Sequence, residues 1–253
     1  MPERVQKVLS QWGIASRRKA EKMILARRIR INGQIASLGD KADLTVDTLH
    51  VDDKLIELGD RPQSIYLLLN KPTGVVSTCF DPQNRPTVID LLHRDLQQGT
   101  GIHPVGRLDF ASSGALILTN DGKLTLGLTH PRYHLPKTYH VELNCSPKKK
   151  DLAAWRRGIM LDGNKTLPAK IKILESDCSG KTIEVILTEG KNRQIRRVAE
   201  KLGYQVQKLH RVAIGTITLD TIGQNTIAIG KYRHLQPAEI NFLKNNSFNS
   251  INL

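Results

Sequence analysis

Residues 106–122 read Gly-Arg-Leu-Asp-Phe-Ala-Ser-Ser-Gly-Ala-Leu-Ile-Leu-Thr-Asn-Asp-Gly, and they are the most informative segment of the chain. The apolar run 115–119 predicts a short buried strand that ends in a turn at 120–122. The loop before it is flanked by glycines and carries Arg107 and Asp109 two residues apart. Because the strand fixes the end of this loop, Asp109 is a candidate nucleophile. Taken alone, the loop could also be a structural turn in which Asp109 caps a neighbouring group.

Three further segments occur with this loop in a defined order. They are residues 69–78 (Leu-Asn-Lys-Pro-Thr-Gly-Val-Val-Ser-Thr), 136–141 (Pro-Lys-Thr-Tyr-His-Val) and 188–197 (Thr-Glu-Gly-Lys-Asn-Arg-Gln-Ile-Arg-Arg). Together the four segments resemble the motifs of the pseudouridine synthases that modify single uridines of ribosomal RNA. The N-terminal segment and the last motif look most like the large-subunit (23S) enzymes of the B type. In the loop, Ser112 stands where the family usually has Thr, so a hydroxyl that can bond the loop backbone is kept.

The resemblance implies three catalytic residues. It assigns the essential aspartate to Asp109, which acts as a nucleophile or as a base for the 2′ proton of the sugar. It places Arg196 against that carboxylate, where a guanidinium would keep the aspartate ionised. It matches Tyr139 to the family's lysine-threonine-tyrosine strand, where the ring could stack on the detached uracil while its hydroxyl assists proton transfer. From the residues alone, Arg196 could lie at the surface and Tyr139 could be a core residue.

The resemblance also implies contacts with RNA. It suggests that Arg107 enters the RNA as the target base is flipped out of the stack. In an extended loop, Arg107 and Asp109 would lie on the same side. Further candidate phosphate contacts, each of which could separately be ordinary surface charge, are Lys71, Lys191, Asn192, Arg193 and Arg197.

The net charge of +14 and the pI near 9.8 favour a polyanionic partner, because basic side chains displace the counterions condensed on phosphates. The charge is segregated along the chain. Residues 31–60 hold only Lys41 and Lys54 against seven acids. Before them lies a stripe with a single acid, Glu21, which we call the basic stripe; it consists of Arg17, Arg18, Lys19, Lys22, Arg27, Arg28 and Arg30. Such segregation is typical of a surface that binds RNA.

The N-terminal residues predict a small RNA-binding module. Apolar residues at 5, 8, 9 and 12 have the spacing of an amphipathic helix. Ser16 is a suitable N-cap for a second helix, and Asn32-Gly33 is a two-residue hairpin turn between strands at 29–31 and 34–35. Two helices with a basic face and a hairpin resemble the RNA-binding module shared with a small-subunit ribosomal protein. The alternative is a helical cap on the larger domain.

In the rest of the chain, the mixed order of strands and helices with tight turns predicts an α+β domain around a mainly antiparallel mixed sheet. The resemblance implies that this sheet is long and has a central cleft. Pro and Gly around 59–62 indicate a linker. We therefore expect an RNA-binding module at 1–61, a catalytic domain at 65–243 and a disordered tail at 244–253. Predicted strands cover 65–70, 74–78, 115–119, 137–143, 169–174 and 182–187, and predicted helices cover 151–158 and 193–202.

Other classes of protein fit the sequence poorly. The three cysteines lack the paired spacing of metal ligands and fit a reducing cytosol. The N-terminus has no apolar signal core, and the run 65–69 is too short to cross a bilayer. We expect a cytoplasmic monomer that needs neither metal nor cofactor and acts on ribosomal RNA or a ribosome-assembly intermediate. Two rivals are a non-catalytic RNA-binding assembly factor and an enzyme that modifies small-subunit 16S RNA.

Overall fold

The computed structural model describes residues 1–129, 135–174, 181–220 and 226–248. The chain divides into two compact units. Unit 1 consists of Met1–Tyr66, Leu92–His103 and Leu118–Gly122, and unit 2 consists of Leu67–Leu91, Pro104–Ile117 and Lys123–Leu253. Two short segments from the later part of the chain thus belong to unit 1. The division of the chain between 61 and 65 into functional domains stays a prediction.

Two helices and short strands form the beginning of unit 1. Up to residue 56 the elements are β1 (Glu3–Arg4), α1 (Val5–Gln11), α2 (Arg17–Leu25), β2 (Ile29–Ile31), β3 (Gln34–Ile35), β4 (Lys41–Ala42), β5 (Leu49–Val51) and β6 (Lys54–Ile56). Val5 and Leu9 of α1 and Ala20 of α2 are fully buried in one core, as the apolar spacing predicts. The Ser16 hydroxyl accepts a hydrogen bond from the Lys19 N–H at 3.3 Å, which confirms the predicted N-cap.

The predicted hairpin of unit 1 is present. Asn32 and Gly33 have φ values of 50° and 81°, the left-handed conformation that a tight two-residue turn requires. Two further strands, β5 and β6, were not predicted from the sequence. They extend the hairpin to a sheet of four strands in the order β3-β2-β5-β6. Ile29 and Leu49, on neighbouring strands, are fully buried and attach this sheet to the helices.

From residue 66 onward, strands alternate with helices. These elements are β7 (Tyr66–Lys71), α3 (Arg94–Gln97), β8 (His103–Pro104), β9 (Ser113–Thr119), α4 (Gly122–Thr129), β10 (Lys137–Leu143), α5 (Lys149–Arg157), β11 (Met160–Leu161), β12 (Asn164–Lys165), β13 (Lys170–Ile173), β14 (Thr182–Leu187), α6 (Gln194–Lys201), β15 (Val206–Ile214), β16 (Ile217–Thr218), β17 (Tyr232–His234) and α7 (Pro237–Phe248). Because these strands form a mainly antiparallel sheet, the α+β class is confirmed.

A mainly antiparallel sheet forms the centre of the fold. Within the described residues its strand order is β13-β14-β10-β15-β9-β7-β17, with β16 on β15 and β8 on β9. Strand β15 runs parallel to β9, with Gly114 opposite Arg211. A Cβ atom on Gly114, whose φ is 111°, would lie 2.2 Å from the Arg211 carbonyl oxygen, so only glycine allows this approach. Val141, Ile183 and Val185 of the sheet are fully buried in a core that also receives α6.

The structure corrects two predictions. Residues 74–78 do not form a strand; only an isolated bridge joins Val76 to Thr87, because the Gly74 N–H donates to the Phe110 carbonyl instead of a neighbouring strand. Residues 244–248 were expected to be disordered but continue helix α7. Ser247 is buried there and packs on Gly127, which has no side chain. The rest of the predicted tail, 249–253, lies outside the described residues. None of the helices described here combines the length and apolar character that a membrane span needs.

Candidate active site

The loop that carries Asp109 connects β8 with β9. Leu108 is buried, whereas Arg107 is exposed and Asp109 is half-buried. The Ser77 hydroxyl fixes Leu108 from both sides: it donates to the Leu108 carbonyl at 2.9 Å and accepts from the Leu108 N–H at 3.2 Å. The buried side chain of Leu108 therefore separates two accessible neighbours, in the alternation expected of extended backbone.

Every carbonyl oxygen from Leu108 to Ser112 accepts a hydrogen bond. Besides the Ser77 contact, the Asp109 carbonyl accepts from the Ser112 N–H at 3.0 Å and the Phe110 carbonyl accepts from Gly74 at 2.9 Å. The carbonyls of Asp109 and Ser112 accept from a lysine, and that of Ala111 accepts from an arginine. Because the backbone is held at every residue, the loop fixes the position from which the Asp109 carboxylate projects.

The lysine is Lys71, and the structure corrects its expected role. Its side chain is fully buried, so it cannot contact phosphate as predicted. Its Nζ atom donates to the carbonyl oxygens of Pro72 at 2.7 Å, Asp109 at 3.2 Å and Ser112 at 2.8 Å. Burial lowers the pKa of Lys71 from 10.5 to about 8; the Asp109 carboxylate opposes this shift and Arg211 adds to it. Lys71 therefore places a buried positive charge against the backbone of the Asp109 loop.

The arginine is Arg196, at the start of helix α6. The Nη2 atom donates to the Ala111 carbonyl at 2.7 Å, and Nη1 donates to the Val206 carbonyl at 3.1 Å. We expected an ion pair with Asp109, but within the described residues Arg196 bonds the backbone of the loop instead. Burial and the charge of Arg193 lower the pKa of Arg196, and the Asp109 carboxylate opposes that shift. Arg196 therefore acts on Asp109 through the loop and through its field.

The Ser112 hydroxyl does not bond the loop as expected. Ser112 is 1 % exposed, and among the described residues its Oγ atom has no hydrogen-bond partner. Only its backbone takes part, since its N–H closes the turn and its carbonyl accepts from Lys71. The contact that holds the turn is therefore a backbone contact.

Tyr139 lies on β10, opposite an arginine that the sequence did not single out. Arg211 of β15 is 4 % exposed, and its guanidinium lies 6.0 Å from the centre of the Tyr139 ring. Its Nε atom donates to the Ala115 carbonyl at 2.7 Å, just after the Asp109 loop. The sequence does contain a pattern that indicates this buried arginine. Leu209, Arg211 and Ala213 recur with a period of two, which places Arg211 on the inward face of a strand. A charged residue at such a position obscures the alternation that predicts a strand.

The Asp109 carboxylate lies within the field of positively charged side chains. Lys71 and Arg196 interact with it, and Arg211 interacts with Lys71 and with Lys137. Burial, and then Arg211, lower the pKa of Lys137 from 10.5 to about 8. One fixed carboxylate among buried cations can attack an electron-poor carbon or remove a proton from it. Across the described residues, no group of three His, Cys, Asp or Glu side chains is placed to hold a metal ion.

The other side chains that were predicted to contact RNA differ in their exposure and in their bonds to the protein. Arg107, Asn192 and Arg193 are exposed. Arg197 forms an ion pair with Asp162 on the surface. Lys191 is half-buried, and its Nζ donates to the Lys165 carbonyl at 3.0 Å. The first three side chains are therefore the more available ones.

The basic stripe lies on the surface of unit 1, where all seven of its residues are exposed or half-buried. Arg28 forms a bidentate contact with Asp52, and Arg30 lies 3.8 Å from Asp53. For Arg17, Arg18, Lys19, Lys22 and Arg27, the described part of the chain provides no ion pair. Five of the seven charges are thus fully available to an anionic ligand.

Comparisons with known proteins identify the family of the chain. Residues 65–201 match the model of the RNA pseudouridylate synthase family, and residues 3–44 match that of the S4 domain. The chain therefore belongs to the RNA pseudouridylate synthase family, and its N-terminal part is an S4 domain. Both domains imply RNA binding.

Similar proteins match over nearly the whole chain. The chain is 39 % identical over 245 residues to the ribosomal large subunit pseudouridine synthase B of Bacillus subtilis (strain 168), covering 96 % of each protein. It is 34 % identical to the protein of that name from Salmonella typhimurium (strain LT2), covering 96 % of this chain and 83 % of the relative. A solved structure described as a pseudouridylate synthase superimposes with a TM-score of 0.67 at 31 % identity, covering 95 % of this chain and 99 % of that one.

Proposed function

We propose that this protein converts a specific uridine of large-subunit ribosomal RNA to pseudouridine, with the Asp109 carboxylate as the reacting group. One observation supports this most strongly: all five carbonyl oxygens from Leu108 to Ser112 are hydrogen-bonded, so a single carboxylate is held in a fixed position. The choice of the large subunit rests on the names of the Bacillus and Salmonella relatives.

The reaction requires a group that acts on the sugar while the base turns. In one route the Asp109 carboxylate attacks C1′, displaces uracil and forms an ester; in the other it removes the C2′ proton, and uracil leaves to give a glycal. In the ester route C5 of the turned uracil then displaces the Asp109 carboxylate from C1′, and in the glycal route C5 adds to C1′. In both routes the C5 proton is released and N1 takes up a proton. The glycal route returns a proton to C2′. A carboxylate can serve in either route.

In this proposal, residues near Asp109 assist the reaction. Arg196 is a positioning residue, because it holds the loop at Ala111. The Tyr139 ring would stack on the detached uracil while the Arg211 guanidinium fixes its orientation. Arg107, which is exposed two residues before Asp109, would occupy the space of the flipped base.

The S4 domain would supply affinity rather than chemistry. The five available charges of the basic stripe would meet RNA phosphates. We further propose that the protein acts as a cytoplasmic monomer on ribosomal RNA or on a ribosome-assembly intermediate. Its monomeric state can be measured by light scattering with and without RNA.

The test of the substrate is to map pseudouridines in ribosomal RNA from cells with and without the gene. We expect one large-subunit site to lose its modification and to regain it on complementation. Loss of a small-subunit site instead would assign the other subunit. No change in either RNA would contradict the proposed function.

A further inference from the structure

The ring of Phe110 is accessible although the loop around it is tightly held. Phe110 is 49 % exposed, whereas Leu108 and Ser112, two residues away on either side, are 7 % and 1 % exposed. Phe110 lies at the corner of the turn that the Ser112 N–H closes on the Asp109 carbonyl. Its own carbonyl accepts from Gly74. The backbone is thus fixed, while the ring extends into solvent.

A single exposed apolar side chain is common and needs no explanation by itself. Here a second group accompanies it. The guanidinium of Arg85 lies 6.0 Å from the centre of the Phe110 ring, within the range of a cation–π contact. Arg85 is still 44 % exposed, so both the ring and the guanidinium can be reached from solvent.

Arg85 is held in place by Asp81. The Arg85 Nε and Nη2 atoms donate to the two carboxylate oxygens at 2.9 Å and 2.7 Å. The Asp81 side chain is buried and also accepts from the backbone N–H groups of Gln83 and Arg85. Hydrogen bonds from Arg85 lower the pKa of Asp81 to about 2, so the pair stays charged at neutral pH. A planar cation is therefore fixed beside the ring.

We propose that Phe110 and Arg85 form a stacking site for the nucleobase next to the target uridine in the RNA. The inference rests on the proposed function, since it takes Asp109 as the residue that meets the target sugar. Phe110 follows Asp109 directly, so its exposed ring lies one residue from the carboxylate that would meet the target sugar. Flipping a base out of its stack uncovers a face on each of the two neighbouring bases, so a ring beside Asp109 can supply a stacking partner in addition to Arg107. An aromatic face and a guanidinium plane are the groups that proteins use to stack on unpaired bases.

The test combines protein variants with modified RNA. The probe is a synthetic RNA fragment that contains the uridine identified by mapping, with an abasic nucleotide in place of one neighbour or the other. Binding is measured in the Asp109→Asn background, so that no turnover interferes, and KM and kcat are measured with Asp109 intact. The variants are Phe110→Ala, Phe110→Leu, Phe110→Tyr and Arg85→Lys.

We expect removal of one neighbouring base to weaken binding of the otherwise unchanged protein about tenfold, the order of a base–aromatic stack. Phe110→Ala should bind intact RNA about tenfold more weakly and lose nothing further with the abasic RNA, because both changes remove the same contact. Phe110→Tyr should behave like the parent and Phe110→Leu like alanine, since leucine keeps apolar bulk without a ring face. Arg85→Lys should fall between, and the effects should appear in KM rather than in kcat.

A matched control is Met160→Ala, because Met160 is 48 % exposed and lies in a different hairpin. It should respond to the abasic RNA as the parent does. If Phe110→Ala responds like the parent to both abasic RNAs, or if Phe110→Leu retains full affinity, the stacking site is refuted. Failure of the proposed function looks different, because no RNA would then gain pseudouridine with the unaltered enzyme.

Discussion

The Nη2 atom of Arg196 donates a hydrogen bond to the carbonyl oxygen of Ala111 at 2.7 Å, and this contact connects helix α6 to the loop that carries Asp109. The contact holds the backbone two residues after Asp109, and the positioning role proposed for Arg196 rests on it. The positive charge of Arg196 also interacts with the Asp109 carboxylate.

Replacing Arg196 with alanine should lower kcat about a hundredfold, the order expected when a reacting group is displaced by ~1 Å. RNA affinity should change little, because the Arg196 guanidinium bonds backbone carbonyls of the protein and is not offered to RNA phosphates. Arg196→Lys should recover only part of the activity, since a compact ammonium does not reproduce the reach and the fixed planar geometry with which the guanidinium bonds both carbonyls. Arg197→Ala is the matched control: Arg197 pairs with Asp162 on the surface, and the kcat of this variant should be normal. Full activity of Arg196→Ala would refute this role.

Lys71 should give stability a distinctive pH dependence. Burial lowers its pKa in the folded state from 10.5 to about 8, so between these values the unfolded chain binds more protons than the folded one. The free energy of unfolding of the wild type relative to Lys71→Met should therefore rise with pH through this window and stay flat below it. Denaturant titrations of both proteins from about pH 7 to pH 10 measure the difference. A difference that does not change with pH would contradict a buried, charged Lys71.

Gly114→Ala should destabilise the protein by at least about 2 kcal/mol, because it combines overpacking with a strained backbone. The new Cβ atom would lie 2.2 Å from the Arg211 carbonyl oxygen and would separate β9 from β15. Gly190→Ala is the control, since a Cβ atom on Gly190 would have nothing within 4 Å and the φ of this glycine is not positive. Thermal unfolding of the two variants side by side decides the point. Equal stability would mean that the parallel pair is not closely packed.

The basic stripe should account for much of the salt dependence of RNA binding. Changing Arg17, Arg18, Lys19, Lys22 and Arg27 to Gln should reduce the slope of log affinity against log salt by roughly 0.7–0.9 for each phosphate contact that the substitutions remove. Changing Arg28 and Arg30 to Gln should have a smaller effect for each residue, because Asp52 and Asp53 already neutralise them in part. Filter binding at several salt concentrations gives both slopes. An unchanged slope in the fivefold variant would show that the stripe does not bind RNA.

Much of the fold followed from local patterns. The helices of the S4 domain and the strands β10 and β14 were predicted because their apolar residues repeat with the period of the element. Strand β15 was missed because Arg211 occupies one of its inward positions. Lys71 was misassigned because a lysine after an apolar strand resembles a surface residue. Its burial depends on carbonyl groups some forty positions further along the chain, which no local pattern reveals.

In the site too, features set by neighbouring residues could be predicted from the sequence, whereas contacts between distant residues could not. Asp109 was singled out because a short loop and a buried strand stand next to each other in sequence, and the resemblance to the pseudouridine synthases made it the catalytic candidate. The contact of Arg196 with Ala111 was not predicted, because 85 positions separate the two residues and a motif specifies no particular backbone partner. The stacking pair of Phe110 and Arg85 likewise becomes visible only when the loop is folded.

The catalytic role of Asp109 is tested most directly by the activity of Asp109→Asn on RNA that carries tritium at C5 of its uridines. Release of tritium reports the loss of the C5 proton, and a filter-binding curve on the same RNA reports affinity. We expect no release by the Asn variant and an affinity within about threefold of the wild type, because the carboxylate acts on the sugar rather than on phosphates. Asp95→Asn, which removes an exposed carboxylate, should release tritium at the normal rate. Appreciable release by Asp109→Asn would contradict the assignment of Asp109 as the reacting group.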